Sequence, residues 1–465
     1  MVLTIVIIYL LVLLAVGYWA NSKIKGMDDF LLAGRKLGLV LTAGALTATH
    51  FGGGMVMGGG EHGFIHGIAG AWYGIACGVG LLLLGFLTAR KFRKLSLYTV
   101  PDYLENRYGG KAIRLLSSLL SLVAIIGIIA AQVGAARGAL AILGFTGNTA
   151  AVVATIIFIL YTVLGGLWAA TITDFVQVII AGVGIIVAAA LVLGNTGGYS
   201  GMQDAILSNH AGLGSGYFNL FGMAGRTIIW ILLPTVMYTL IGQDFYQRLF
   251  AAKDEVTARK SCFIGGGILI VMSVFPAIAG MGARAYFPDL TDGGQAIPMI
   301  VQEVLPIGVG AIVLAALLAA IMSTADSLLT AGSSHVIKDF YLELFRPGEE
   351  YDKKELLKLS RICTVVIGLG ALIIALAVPT IISALIYSYT MYIGGVFIPV
   401  IGGVLWKKAT NTGALTSLIG GSLVAIYGIL TGFAVGNIPG VVFAAFISLI
   451  LFVIVSLFTQ EKKVA

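Results

Sequence analysis

Five oxygen-bearing side chains line one face of an otherwise apolar run: Ser323, Asp326, Ser327, Thr330 and Ser334 in AAIMSTADSLLTAGSSHVIKDFY, at offsets of 3, 4, 7 and 11. Serine and threonine hydroxyls commonly bond back to their own helix, which would explain the alcohols anywhere. That does not explain Asp326, because an ionisable group at membrane depth is expensive and marks a functional position by default. Such a stripe, beside carbonyls freed where a neighbouring helix is interrupted, offers the oxygen shell that a hard cation such as sodium enters and leaves.

A second carboxylate, Asp174, shares a helix face with Thr171 and Gln177 in GGLWAATITDFVQ, just after a turn at Gly165 and Gly166. The alternative for Asp174 is an interfacial carboxylate solvated from the inner side. His50 and Phe51 stand where a glycine run begins, and Gly242 and Gln243 stand after Pro234 in WILLPTVMYTLIGQDFYQR, so all four belong at a candidate solute site. His50 is equally consistent with a histidine satisfied in the core. Gln243 and Asp244 face either the cavity or the inner exit, and the sequence leaves that open. Glu61, His62 and His66 fit a solvated outer vestibule. The three cysteines, Cys77, Cys262 and Cys363, have no metal-ligand spacing and read as small packing residues.

The elements that must position these groups are membrane spans. The chain has 465 residues, is 59% hydrophobic and only 11% charged, and has a mean hydropathy of +1.02, far from the usage of soluble domains. A span needs roughly 20 mostly apolar residues. Apolar runs between polar breaks predict thirteen, near 1–20, 37–66, 68–89, 112–143, 149–164, 171–194, 221–248, 261–286, 301–337, 357–378, 380–405, 411–433 and 438–459. The first lacks a basic leader and a small-residue cleavage site, so it reads as a true helix.

With the N-terminus outside, every Lys and Arg of the 28 except Arg137, Arg226 and Arg284 falls on the inner side, including Lys23, Lys462 and Lys463. That bias predicts a multi-pass plasma-membrane protein with a cytoplasmic C-terminus. It also explains the net charge of +7 without nucleic acid. No phosphate loop, nucleophile elbow or zinc-protease pair is present, so neither an enzyme nor a cofactor is indicated.

Two spans are predicted to break. HFGGGMVMGGG, residues 50–60, holds six glycines in eleven residues, each weakening a helix by up to about 1 kcal/mol relative to alanine. The other carries Pro234 and Gly242. They are the first and sixth helices of a ten-helix unit, which predicts two inverted five-helix repeats, 37–194 and 221–405. One helix at 1–20 precedes them and two within 411–459 follow. The alternative for the glycine run is close helix packing.

These residues together resemble the sodium:solute symporter family. GGLWAATITDFVQ is similar to its GG-x-x-(A/S)-x-x-x-TD-x-x-Q signature, the stripe to its hydroxyl-bearing eighth core helix, and TATHFGGG and GQDFYQR to its two broken helices. The resemblance covers essentially the whole chain. It implies an all-α, leucine-transporter-like fold and sodium-coupled symport of a small organic solute, with sodium the coupling ion. It also implies a sodium site made by the carbonyls of Ala43, Leu46 and Ala320 and the hydroxyls of Ser323 and Thr324. A second cation site in some members maps to Asp174, Ser323, Asp326 and Ser327. Asp326 stands where several of those members carry serine, and a carboxylate there either tightens a second sodium or takes a proton. Proton coupling and an uncoupled sensor or channel-like protein are the alternatives. TATHFGGG, STADS and KKATNTGA are most similar to the choline branch, which carries tryptophan where this chain has His50 and Gly242. A more polar pocket is therefore expected.

Overall fold

The computed structural model describes residues 2–22, 24–346, 352–377, 381–432 and 438–460, so Lys23, Lys462 and Lys463 lie outside the described residues. The chain is all-helical. Its one isolated β-bridge among the described residues joins Leu37 to Ala252. Hydrocarbon offers no partners to backbone N–H and C=O groups, and helices satisfy them within the segment.

Ten helical stretches among the described residues are long and apolar enough to cross a membrane, and a bent pair makes an eleventh. The helices that matter to the site are α1 (Leu39–His50), α2 (Gly53–His66), α3 (Lys111–Ala141), α4 (Gly147–Asn195), α5 (Gly225–Thr239), α6 (Gln243–Ala251) and α7 (Ile307–Ser334). α1 and α2 are the two halves of one interrupted span. The stretch Gly53–Leu87 turns at Gly67, whose φ is +68°. α4 folds back at Gly166, with φ +50° and ψ −154°. The Tyr161 and Thr173 hydroxyls therefore touch across the fold, although twelve residues of straight helix would separate them by about 18 Å. These two turns bring the helical segments to the thirteen spans expected.

The breaks fall at narrower points than composition suggested. α1 ends at His50, where Phe51 N donates to the Thr47 carbonyl at 2.8 Å. Gly52 is extended, and Gly53, Gly54 and Gly58 to Gly60 are already helical within α2. Most of the glycine run thus permits close packing, against Pro276 and Ile297 for example. Pro234 likewise lies inside α5, and the break follows at Leu240 to Gly242, where α5 and α6 bend by 44°. Leu37 N donates to the Ala251 carbonyl at 3.1 Å and Lys253 N to the Leu37 carbonyl at 2.9 Å. Those bonds tie the start of α1 to the end of α6.

α7 is the centre of the bundle. It packs against α1, α2, α3, α4 and α6, and every residue from Val313 to Ser334 is buried. Buried on all faces from Val313 onward, this stretch has no lipid-facing side, so its polar groups must find partners in protein. Outward side chains such as Ile156, Val183, Val271, Ile373 and Phe446 supply the lipid-facing surface instead. On one end of the bundle, Arg114 of α3 bridges Asp102, Glu105, Asp339 and Glu343 at 2.5 to 3.2 Å.

Gly166 is the sharpest local requirement, because its backbone conformation is nearly exclusive to glycine. An added Cβ would also lie 2.5 Å from the Phe30 ring and 2.8 Å from the Phe30 carbonyl. Gly166→Ala is expected to cost about 1–3 kcal/mol from backbone strain alone, seen as a lower unfolding temperature in detergent. Gly267→Ala, on an open helix face with nothing within 4 Å, should leave that temperature unchanged or slightly higher. Equal behaviour of the two variants would contradict the turn.

Candidate ion and solute site

A helix leaves its last carbonyls without intrahelical donors. In α1 these are the carbonyls after Thr47, and α7 meets them with alcohols. Thr324 Oγ1 donates to the carbonyls of Ala48 and Thr49 at 3.3 and 3.2 Å. Ser323 Oγ lies 3.4 Å from the Ala48 carbonyl and donates to the Ala320 carbonyl at 2.9 Å. Gly52 permits this approach, since a Cβ there would overlap the Thr324 hydroxyl. Ala320, Ser323 and Thr324 of the expected set are thus brought together with α1. Ala43 and Leu46 are buried farther back in α1. The Ala43 carbonyl accepts from Thr47 Oγ1 at 2.8 Å and lies toward Gly265. Ala48 and Thr49 take their place beside the hydroxyls in this conformation. The signal for them was where α1 ends, which the glycine run left loosely defined.

One turn along α7 lies a buried, charged cluster. Asp174 and Arg248 form an ion pair at 3.1 Å with both side chains fully buried. Arg248 also bonds the Ser327 hydroxyl, the Ala45 carbonyl at 3.2 Å and the Asp244 carbonyl at 2.9 Å. Asp326 accepts from the Thr162 hydroxyl at 2.8 Å. Three oxygens remain buried without a hydrogen-bond partner: Asp174 Oδ1, Asp326 Oδ2 and Gln177 Oε1. Each costs about 1–3 kcal/mol if left so. Asp174, Asp326 and Ser327 are therefore gathered as expected from their spacing. Sequence reasoning counted Arg248, the last residue of the span 221–248, among the inner-side charges, whereas it lies four residues after Asp244 on α6 and is wholly buried.

The break between α1 and α2 opens a small chamber of about 20 Å³, bordered by His50, Gln132, Tyr238, Asp244, Phe245 and Thr324 among others. His50 Nε2 pairs with Thr239 Oγ1 at 2.9 Å, and its ring sits 4.4 Å from that of Phe245. Gln132 holds α2 in place by accepting from Gly53 N at 3.0 Å. Tyr73, Tyr389, Leu385 and Gly54 border both this chamber and a larger cavity of about 240 Å³ that reaches His62, Trp230 and Pro234. Among the expected solute residues, only His50 borders the chamber. Phe51 is fully buried in the core, and Gly242 forms the tight N-terminus of α6. Gln243 points to the segment before the helix Val100–Tyr108: it accepts from Val100 N at 2.9 Å and donates to the Tyr98 carbonyl at 2.9 Å. Its neighbour Asp244 takes the chamber. Tyr73, Gln132, Tyr238 and Tyr389 were not singled out in the sequence, because their proximity depends on packing between distant helices.

Comparison with known proteins agrees with this architecture. A family model described as "Sodium:solute symporter family" matches residues 30–421. The high-affinity proline transporter PutP of Bacillus subtilis (strain 168) is 30% identical, covering 97% of each chain. The sodium/pantothenate symporter of Escherichia coli (strain K12) is 29% identical over 90% of this chain and 88% of its own. A solved structure of a Na+-coupled sialic acid symporter superimposes with a TM-score of 0.86 at 20% identity, covering 100% of this chain and 99% of the other, and so shares its fold. With the family match spanning most of its length, this chain is a member of the sodium:solute symporter family.

Proposed function

We propose that this symporter holds its coupling sodium where α1 breaks against α7, and that occupancy of this spot governs whether the two helices stay together. The observation that carries the reading is the meeting of the Ser323 and Thr324 hydroxyls with the carbonyls of Ala320, Ala48 and Thr49. These are neutral oxygens, suited to an ion that must be released. The family resemblance puts the carbonyls of Ala43 and Leu46 in the same shell. Sodium entering down its gradient adds about 2.3 kcal/mol per charge per 100 mV to the work available for accumulating solute.

The solute site in this reading is the chamber at the break, reached through the larger cavity, with His50 on its wall; Phe51, Gly242 and Gln243 act on it only through the backbone breaks they flank. Relatives named for proline and pantothenate support a small organic solute, in this reading an amino acid, carboxylate, vitamin or similar molecule. The repeats run over 37–194 and 221–405, and the basic loops put the N-terminus outside and the C-terminus in the cytoplasm of a cell bounded by this membrane.

A second cation belongs at the buried cluster. Two carboxylates face one guanidinium, and the free oxygens of Asp174, Asp326 and Gln177 remain to be satisfied. A second sodium or a proton would balance the charge, and the unpartnered Asp326 Oδ2 favours the proton.

Solute uptake into proteoliposomes should require inward sodium. Ser323→Ala and Thr324→Ala should each raise the sodium concentration for half-maximal uptake by roughly tenfold, as loss of one ligand worth about 1.4 kcal/mol would. Uptake that is identical in potassium would exclude sodium coupling. A pH gradient driving uptake without sodium would establish the proton instead.

The ion pair yields a separate expectation. Arg248→Met leaves Asp174 uncompensated and should destabilise the protein by about 3–5 kcal/mol. Combining it with Asp174→Asn should recover part of that loss in thermal unfolding. Strictly additive losses would show that the two side chains are not coupled.

A further inference from the structure

We propose that the transported solute carries a positively charged nitrogen, an ammonium or substituted ammonium group, for which Asp244 is the counter-charge. The inference rests on the symport reading above and names the solute class for its chamber.

Asp244 borders the chamber and is 3% exposed. Among the described residues it is the single acidic residue of the chamber wall, and none of those residues is a lysine or arginine. The guanidinium of Arg248, one turn along α6, attracts the Asp244 carboxylate electrostatically but spends its hydrogen bonds on other groups. Its N–H groups go to Asp174, Ser327, the Ala45 carbonyl and the backbone carbonyl of Asp244, and none goes to the Asp244 carboxylate. The hydrogen bond from Tyr238 OH at 3.2 Å solvates one carboxylate oxygen without neutralising it.

A structural role for Asp244 is available, since it sits in the first turn of α6, where a negative charge suits the helix dipole. That dipole supplies about half a charge, and any first-turn acid facing outward would serve as well. It does not account for a carboxylate at the chamber wall.

The rest of the wall suits a cation. The Tyr238 ring stacks on Tyr389 at 4.5 Å and meets Phe245 edge-on at 6.1 Å. Tyr73 borders the same space. Aromatic faces attract cationic nitrogen through their quadrupole and repel carboxylates. An anionic solute would face like-charge repulsion from Asp244, and a polyol would leave that charge unpaired. The adjoining cavity, with Trp230 and Pro234, gives an apolar body room outside the chamber.

The test is a thermal-shift titration of the purified full chain in sodium and in potassium. Choline, glycine betaine, L-proline and ethanolamine are compared with acetate, pyruvate and D-glucose. At least one of the first four should raise the unfolding temperature in sodium, and none of the last three should. Asp244→Asn should weaken that response by roughly tenfold to a hundredfold, in keeping with loss of a charged partner, while Asp244→Glu retains part of it. If the asparagine variant does not fold, displacement of the stabilising solute from the wild-type protein by tetramethylammonium supports the proposal, and no displacement overturns it. A shift from acetate, pyruvate or glucose, no shift from any nitrogen-bearing solute, or an asparagine variant that binds as the wild type would each overturn it. A nitrogen-bearing solute that binds equally in sodium and potassium would overturn sodium coupling while leaving the charge selectivity in place.

Discussion

The structure depends on what becomes of the backbone carbonyls at the end of α1. Inside hydrocarbon an interrupted helix is permitted only where something else bonds the groups it leaves open. Here Thr324 and Ser323 reach those carbonyls across the gap that Gly52 leaves. In the reading proposed above, the same oxygens that repair the break would form the cation shell once an ion replaced the direct bonds. On that proposal, a structural necessity of the broken span and the capacity to hold sodium are one arrangement, carried by hydroxyls on a helix buried from Val313 to Ser334.

The charged cluster one turn farther along α7 obeys a different constraint. A buried ion pair roughly balances its own desolvation at best, so the Asp174–Arg248 pair contributes little net stability. Its value lies in fixing positions. Arg248 reaches α1 at Ala45, α4 at Asp174 and α7 at Ser327, so one side chain of α6 ties both broken spans to the helices beside them. Asp326 adds a second carboxylate to this cluster, bonded to the Thr162 hydroxyl and without a salt bridge among the described residues. Any ion or proton that satisfies it acts on the same joint, which gives a route from the cluster to the break through bonded neighbours.

What the sequence made legible follows from range. Periodicity within one helix placed Ser323, Asp326, Ser327 and Thr330 on a common face, and charge bias in the loops supported thirteen spans. The turn in GG before LWAATITD was also visible, because glycine at Gly166 serves a conformation other residues avoid. Partners across the bundle were not visible: Thr162 and Asp326 are 164 positions apart, and Arg248 counted only as an inner-side charge at the end of its span because charge alone does not say whether a neighbour will bury it. Gln243 and Asp244 show the limit most clearly. Adjacent helical residues point about 100° apart, so one meets the inner segment and the other the chamber, and only the packing of α6 decides which. The glycine run misled in the opposite sense, since composition spread the break over eleven residues and the backbone confines it to Phe51 and Gly52.

The central claim is that sodium binds at the joint between α1 and α7 and steadies it. Hydrogen–deuterium exchange of the purified protein in sodium against potassium, at equal ionic strength, reports on that joint without requiring a known solute. The account predicts slower exchange in sodium confined to peptides spanning residues 43–54 and 319–328, with the helices of 411–458 unaffected. Exchange that is the same in both salts across 43–54 and 319–328 would contradict it.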